Sequence, residues 1–306
     1  MRTLDVITFA GGSAAPIYVA QAKGFFEREG LIVRDTATPS SGYQMASLVA
    51  GKFHIAGTAL DNLIAYQEGQ GTAPLDRAPD LVTLMGLSST ELALMAQPAI
   101  TRVEDLRGKQ FALDSLSTGY AFVLRAMLDK HGLAPGDYEF VAVGGTRERL
   151  EALKDERMAA ALITEPFTTQ AKRAGFSYLG EAVDSVGAYQ ASVQIANRTW
   201  ALENEDAVVG YLRAMLAAID FIYDSTNTAE VAKIIAAKIG VPDVVALLTS
   251  QGLTRGRTAL ARKGEIDMEG LRNVIALRER FAEPGKPLEG PEKYYDPRWW
   301  RKAVAG

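Results

Sequence analysis

The chain contains no cysteine. That absence excludes disulfides, thiolate zinc sites, iron–sulfur clusters, cysteine nucleophiles and thiol lipidation. Histidine is nearly as scarce: the only two, His54 and His131, lie far apart in the chain and make a poor start for a metal centre. No stretch approaches the roughly 20 apolar residues that span a bilayer, and the longest helical pattern, 207–223, carries Arg213 and Asp220. Neither sign of charge is in large excess, with 33 Lys+Arg against 37 Asp+Glu and a net charge of -4. There is thus no basic footprint for a nucleic-acid backbone, which leaves a small anionic ligand open. Gly11-Gly12-Ser13 lacks dinucleotide-loop spacing and no Walker glycine-lysine-serine pattern occurs, so no cofactor is expected. What is present, 48% hydrophobic and 23% charged residues over 306 positions, excludes disorder and suggests about two domains.

Hydrophobic periodicity places strands at 4–9, 31–36, 53–57 and 81–87, with helices at 16–30, 43–50 and 61–68 between them. Pro16 suits a first helical turn and Gly30 a helix stop. The alternation restarts with strands at 109–113, 138–143 and 158–163 and helices at 118–130, 146–154 and 166–174. Such spacing indicates parallel βαβ units, hence an α/β fold. After a last strand at 191–196 the chain turns helical, near 205–223, 227–238, 243–253 and 267–282, and the aromatic end 294–300 reads as a docked tail. A weak repeat links 41–48 and 51–56 to 146–153 and 156–161, an offset of 105 residues from Ser41 to Thr146; two similar lobes are the simplest explanation.

The segment Pro16-Ile17-Tyr18-Val19-Ala20-Gln21-Ala22-Lys23-Gly24-Phe25-Phe26-Glu27 resembles the opening signature of the nitrate/sulfonate/taurine-binding periplasmic receptors, a family that includes thiamine-pyrimidine-precursor proteins. The likeness continues through 48–56, Val103-Glu104-Asp105-Leu106-Arg107-Gly108-Lys109 and Thr164-Glu165-Pro166-Phe167, so four motifs fall in order over roughly 3–200. The resemblance implies a type II periplasmic-binding-protein fold: two α/β lobes joined by two crossover strands and closing on a ligand by hinge motion. In this chain the crossings would be 91–97 and 191–197, making lobe 1 from 1–95 plus 193–306 and lobe 2 the insertion 96–192. It also implies an importer permease as partner, a periplasmic location with the signal removed, and a monomer. Read without the resemblance, an N-terminus that enters a strand at once fits a cytosolic protein equally well.

Ligands of open α/β sheets bind beyond the carboxyl ends of the strands. Those positions here are Gly11-Gly12-Ser13, Ser40-Ser41-Gly42, Thr58, Ser88-Ser89-Thr90, Ser115 to Gly119, Gly144-Gly145-Thr146 and Thr164-Glu165. Glycine and hydroxyl residues at helix starts offer N–H and O–H donors to a ligand, although each alone is also an ordinary cap or turn. Ser117-Thr118-Gly119 matches the family's serine/threonine-rich ligand loop, and Ser41-Gly42-Tyr43 is its first-lobe counterpart. Tyr43, Tyr120, Phe167 and Tyr189 could stack on a flat ligand or simply pack. His54 stands where the family usually shows aspartate, and is either a cleft donor or a satisfied strand histidine. The acids Asp61, Glu91, Asp114 and Glu165 argue against a site for nitrate or sulfate alone and towards an organic ligand carrying a donor.

Two functions compete. One is a solute receptor for a sulfonate, aromatic carboxylate or pyrimidine-like molecule. The other is an enzyme on the same fold acting on a small heterocycle or aromatic acid. The family's pyrimidine synthase and sulfinate desulfinase relatives use cysteine-containing sites, so in a cysteine-free chain only an acid/base enzyme around His54 and Glu165 is left. A regulator's effector domain would need a helix-turn-helix ahead of the first strand.

Overall fold

The computed structural model describes residues 1–89, 92–256 and 259–306. The first half runs β1 (Arg2–Thr8), α1 (Ala15–Ala22), α2 (Phe25–Arg28), β2 (Leu31–Ala37), α3 (Ser41–Val49), β3 (Ile55–Ala59), α4 (Leu60–Gln67) and β4 (Leu81–Ser89). The second runs β5 (Ala93–Ala96), β6 (Gln110–Leu113), α5 (Gly119–Lys130), β7 (Glu139–Ala142), α6 (Thr146–Lys154), β8 (Ala160–Ile163), α7 (Phe167–Arg173), β9 (Ser177–Glu181) and α8 (Val183–Val186). Then follow β10 (Gln190–Asn197), α9 (Arg198–Glu203), α10 (Glu205–Tyr223), α11 (Thr228–Ile239), α12 (Asp243–Gly252), α13 (Met268–Phe281) and α14 (Arg298–Ala305). The helix expected over 16–30 breaks in two because Gly24 takes a left-handed φ of 66°, a conformation that ends helices. Of the expected crossing strand and the Ser88-Ser89-Thr90 loop, Thr90 and Glu91 lie outside the described residues.

Two five-stranded sheets form, in the orders β2-β1-β3-β10-β4 and β7-β6-β8-β5-β9. Each has three parallel strands followed by one antiparallel crossing strand, β10 or β5. β8, central in its sheet, is buried along its length, as helices on both faces require. The 105-residue offset extends through the strand registers. Val6 pairs with Ile55 as Phe111 pairs with Ala160, and Thr8 pairs with Ala37 as Leu113 pairs with Ala142. Identical pairing in two sheets requires the same number of residues between the paired positions, so the repeat is one of structure as well as pattern.

Helix α13 packs on α4 and β10 of the first sheet and on α5 of the second, and so bridges both lobes. The aromatic tail is docked, with Tyr294 and Trp299 fully buried and the Tyr294 carbonyl accepting from Thr83 N–H at 2.9 Å. Among the described residues no helix is long and apolar enough to cross a membrane.

Candidate functional site

The carboxyl ends of β1 and β3 face those of β6 and β8 across a chamber of about 80 Å³. The first sheet lines it with Phe9 and Ser13 after β1, Thr58 and Asn62 around the β3–α4 junction, and Gln194 of β10. Asn62 Nδ2 donates to Thr58 Oγ1 at 2.9 Å, and Gln194 Oε1 accepts from the Tyr211 hydroxyl at 2.9 Å. Gly57 makes that packing possible, because a Cβ there would sit 2.9 Å from both Gln194 Nε2 and Thr8 Cγ2.

The second sheet contributes Asp114 after β6, then Thr118, Gly119 and Tyr120 at the start of α5, and Thr146 and Arg149 in the first turns of α6, with Thr164 beyond β8. Arg149 is 2% exposed. Its Nη1 donates to the Leu162 carbonyl at 2.5 Å and its Nη2 to Thr146 Oγ1 at 2.8 Å, while the Thr146 and Thr164 hydroxyls are 3.2 Å apart. Burial lowers the Arg149 pKa from its ordinary value, and Asp114 is the largest opposing influence. Arg149 Nε and Asp114 Oδ1 are both buried without a partner among the described residues.

Direct contacts close the chamber at its rim. Gly12 N–H donates to the Glu165 carbonyl at 3.1 Å. Gly119 is packed so tightly that a Cβ would meet Asp61 Cβ of the first lobe and the Tyr189 hydroxyl at 2.5 Å each. Asp61 is in turn gripped by Arg278 of α13, with Nε to Oδ1 at 2.8 Å and Nη2 to Oδ2 at 2.5 Å, and Nη2 also donates to the Ser117 carbonyl at 3.1 Å. Arg278 and Asp61 are 0% and 1% exposed, and the guanidinium stacks 4.9 Å from the Phe122 ring centroid. One side chain therefore binds both lobes.

Of the residues expected from sequence, Ser13, Thr58, Thr118, Gly119, Tyr120 and Thr146 line the chamber. Gly12 and Glu165 lie at the seam through their backbones. The Glu165 carboxylate accepts from Thr169 N–H at 3.2 Å, and burial raises its pKa against that bond. Tyr189 is buried beneath Gly119, and burial pushes its phenol pKa well up. Ser117 meets Arg278 through its carbonyl. Ser41 is buried in the first turn of α3, Gly42 packs on Ala73, Tyr43 is 49% exposed, and Ser89 ends β4 opposite Gln190. His54 precedes the amino end of β3, opposite to the end that lines the chamber. Its Nδ1 accepts from Asp5 N–H at 2.9 Å and its ring tilts against Trp200. Sequence reasoning overlooked Asn62, Arg149, Gln194 and Phe9. The repeat held a usable signal for Arg149, a charged residue where the first copy has Gln44.

The family model described as NMT1/THI5 like matches residues 12–229. No curated protein matches the chain. Among solved structures, the periplasmic nitrate-binding protein NrtA from Synechocystis PCC 6803 superposes with a TM-score of 0.85 at 15% identity, over 100% of this chain and 89% of that one. The ligand-binding component of an ABC-type import system from Staphylococcus aureus gives 0.80 at 11% identity, over 99% of each chain. The alkanesulfonate-binding protein SsuA from Xanthomonas axonopodis pv. citri, bound to MOPS, gives 0.73 at 17% identity, over 90% of this chain and 91% of that one. These likenesses show the fold, the two-lobed type II periplasmic-binding-protein architecture.

Proposed function

The chain belongs to the NMT1/THI5-like family, and we propose that it is the solute-binding receptor of an ABC-type importer. It captures a small polar organic molecule, of sulfonate, aromatic carboxylate or pyrimidine-like type, between its lobes and presents it to a membrane permease. The observation that carries this reading is a small chamber walled by both sheets and sealed by contacts between them, the arrangement hinge closure produces. Ser13, Thr58, Thr118, Gly119, Tyr120 and Thr146 are the proposed ligand contacts. The lobes are 1–95 plus 193–306 and 96–192, a division supported by the exchange of β5 and β10 between neighbours distant in sequence. The protein acts as a periplasmic monomer and leaves its ligand unchanged. Native mass spectrometry with thermal-shift screening of sulfonates, aromatic carboxylates and pyrimidines tests this, because a bound ligand raises the melting temperature by mass action. Recovery of a chemically altered ligand, with turnover, would overturn it.

A further inference from the structure

The two halves of the chamber repeat one another, yet only one is charged. At the 105-residue offset the positions of Phe9 and Gln44 correspond to those of Asp114 and Arg149. One hydrogen bond is shared by the two copies. Gln44 Nε2 donates to the carbonyl of Gly57 at 3.0 Å, and Arg149 Nη1 donates to the carbonyl of Leu162, the residue 105 positions after Gly57, at 2.5 Å. The first lobe therefore ties its third parallel strand to the helix before it with a neutral amide, and the second does so with a buried guanidinium. Among the described residues of the chamber wall, Arg149 is the one cation and Asp114 the one carboxylate.

A buried charge needs a countercharge and a full set of hydrogen bonds. The bonded nitrogens of Arg149 go to neutral oxygens and Nε has no partner among the described residues, so within the chamber its compensation falls to Asp114. Asp114 Oδ1, equally buried, receives no donor from the described residues; a group of that kind calls for a donor from elsewhere.

Taking the chamber as the ligand site, as the receptor reading does, we infer that Asp114 sets its charge selectivity. By cancelling Arg149 it makes the chamber neutral, which narrows the proposed ligand types to the pyrimidine-like one: the site takes an organic molecule of zero net charge whose N–H group donates to Asp114, and turns away free oxyanions, simple sulfonates and carboxylates included. The ligand's N–H end faces the second lobe and its less polar end faces Phe9.

The test measures calorimetric binding of nitrate and of methanesulfonate to the wild-type protein and to Asp114→Asn and Asp114→Glu. Wild type and Asp114→Glu should show no binding tighter than about 1 mM. Asp114→Asn, which exposes Arg149's charge without changing side-chain size, should bind at least one of the two anions at least about tenfold more tightly. Binding of either anion by wild type below about 1 mM would overturn the charge assignment, whether or not the variants fold, and would leave a receptor, now for anions. An Asp114→Asn protein that melts cooperatively yet gains no anion binding would overturn it as well. Turnover of a ligand would instead strike the receptor reading itself, so the two failures are separable.

Discussion

The two lobes share a strand register and differ in what they set at its end. β1, β2 and β3 pair as β6, β7 and β8 do, residue for residue, but the first lobe ends in Phe9 and a Gln44 amide where the second has Asp114 and Arg149. Register is decided by backbone pairing and the burial of alternate faces, and it tolerates almost any side chain at a carboxyl-end loop. Chemistry can thus diverge between copies while the frame stays fixed, which is how one fold serves many ligands. The third party is α13, which belongs to neither repeat and supplies Arg278 to the seam.

The comparison can be broken at that seam. Arg278→Ala leaves Asp61 charged and buried between the lobes and should lower stability in urea unfolding by about 3–5 kcal/mol. Pairing Arg278→Met with Asp61→Leu should recover most of the loss, because a well-packed apolar pair often does as well as a buried ion pair. A loss below about 1 kcal/mol for the single change would show that Arg278 does not hold the lobes together.

Position 119 tests how tightly the copies must meet. Its first-lobe counterpart is already alanine, Ala14, but Gly119 has Asp61 Cβ and the Tyr189 hydroxyl 2.5 Å from where a Cβ would stand. Gly119→Ala should prop the lobes apart, seen as a larger radius of gyration in small-angle scattering, and weaken ligand binding by at least about tenfold, or 1.4 kcal/mol. An unchanged radius and affinity would mean that the seam yields easily.

Acid should act more mildly, and through the first lobe. Burial alone would raise the pKa of Glu68, but hydrogen bonds from Lys286, Lys293 and Tyr294 bring it down to about 2. A carboxylate with a depressed folded pKa stabilises the protein above its unfolded value of about 4.3, and that contribution is lost as pH falls towards 2. The melting temperature should therefore drop over this window, and Glu68→Gln should flatten that part of the curve. A profile identical in the variant would remove Glu68 as the cause. The smallest effect belongs to His54→Ala, which should change ligand affinity less than about twofold while costing up to about 1 kcal/mol for the lost bond to Asp5 N–H. A tenfold loss of affinity would return His54 to the binding site.

The α/β alternation was legible because helix and strand periods differ, and α6 and α10 match their expected limits residue for residue. β9, Ser-Tyr-Leu-Gly-Glu, was not, since none of its residues is fully buried and its pattern does not alternate. Ser13, Thr58, Thr118 and Thr146 could be found by position alone, as hydroxyls at or just past the carboxyl ends of strands. Arg149 and Asn62 reach the chamber from inside the first turn of a helix, and Gln194 from the middle of an antiparallel strand, where a polar residue ordinarily reads as solvent-facing.

Local chemistry written in the chain was enough to determine two α/β copies, a cysteine-free interior and a polar edge of hydroxyls, because each depends on residue type and short spacing. Which of those hydroxyls meet, that Asp114 and Arg149 share one wall, and that Arg278 crosses to Asp61 from 217 residues away were decided by tertiary structure. Those pairings exist only once two sheets and a bridging helix have packed, and the low dielectric that gives buried charges their force exists only inside that packing.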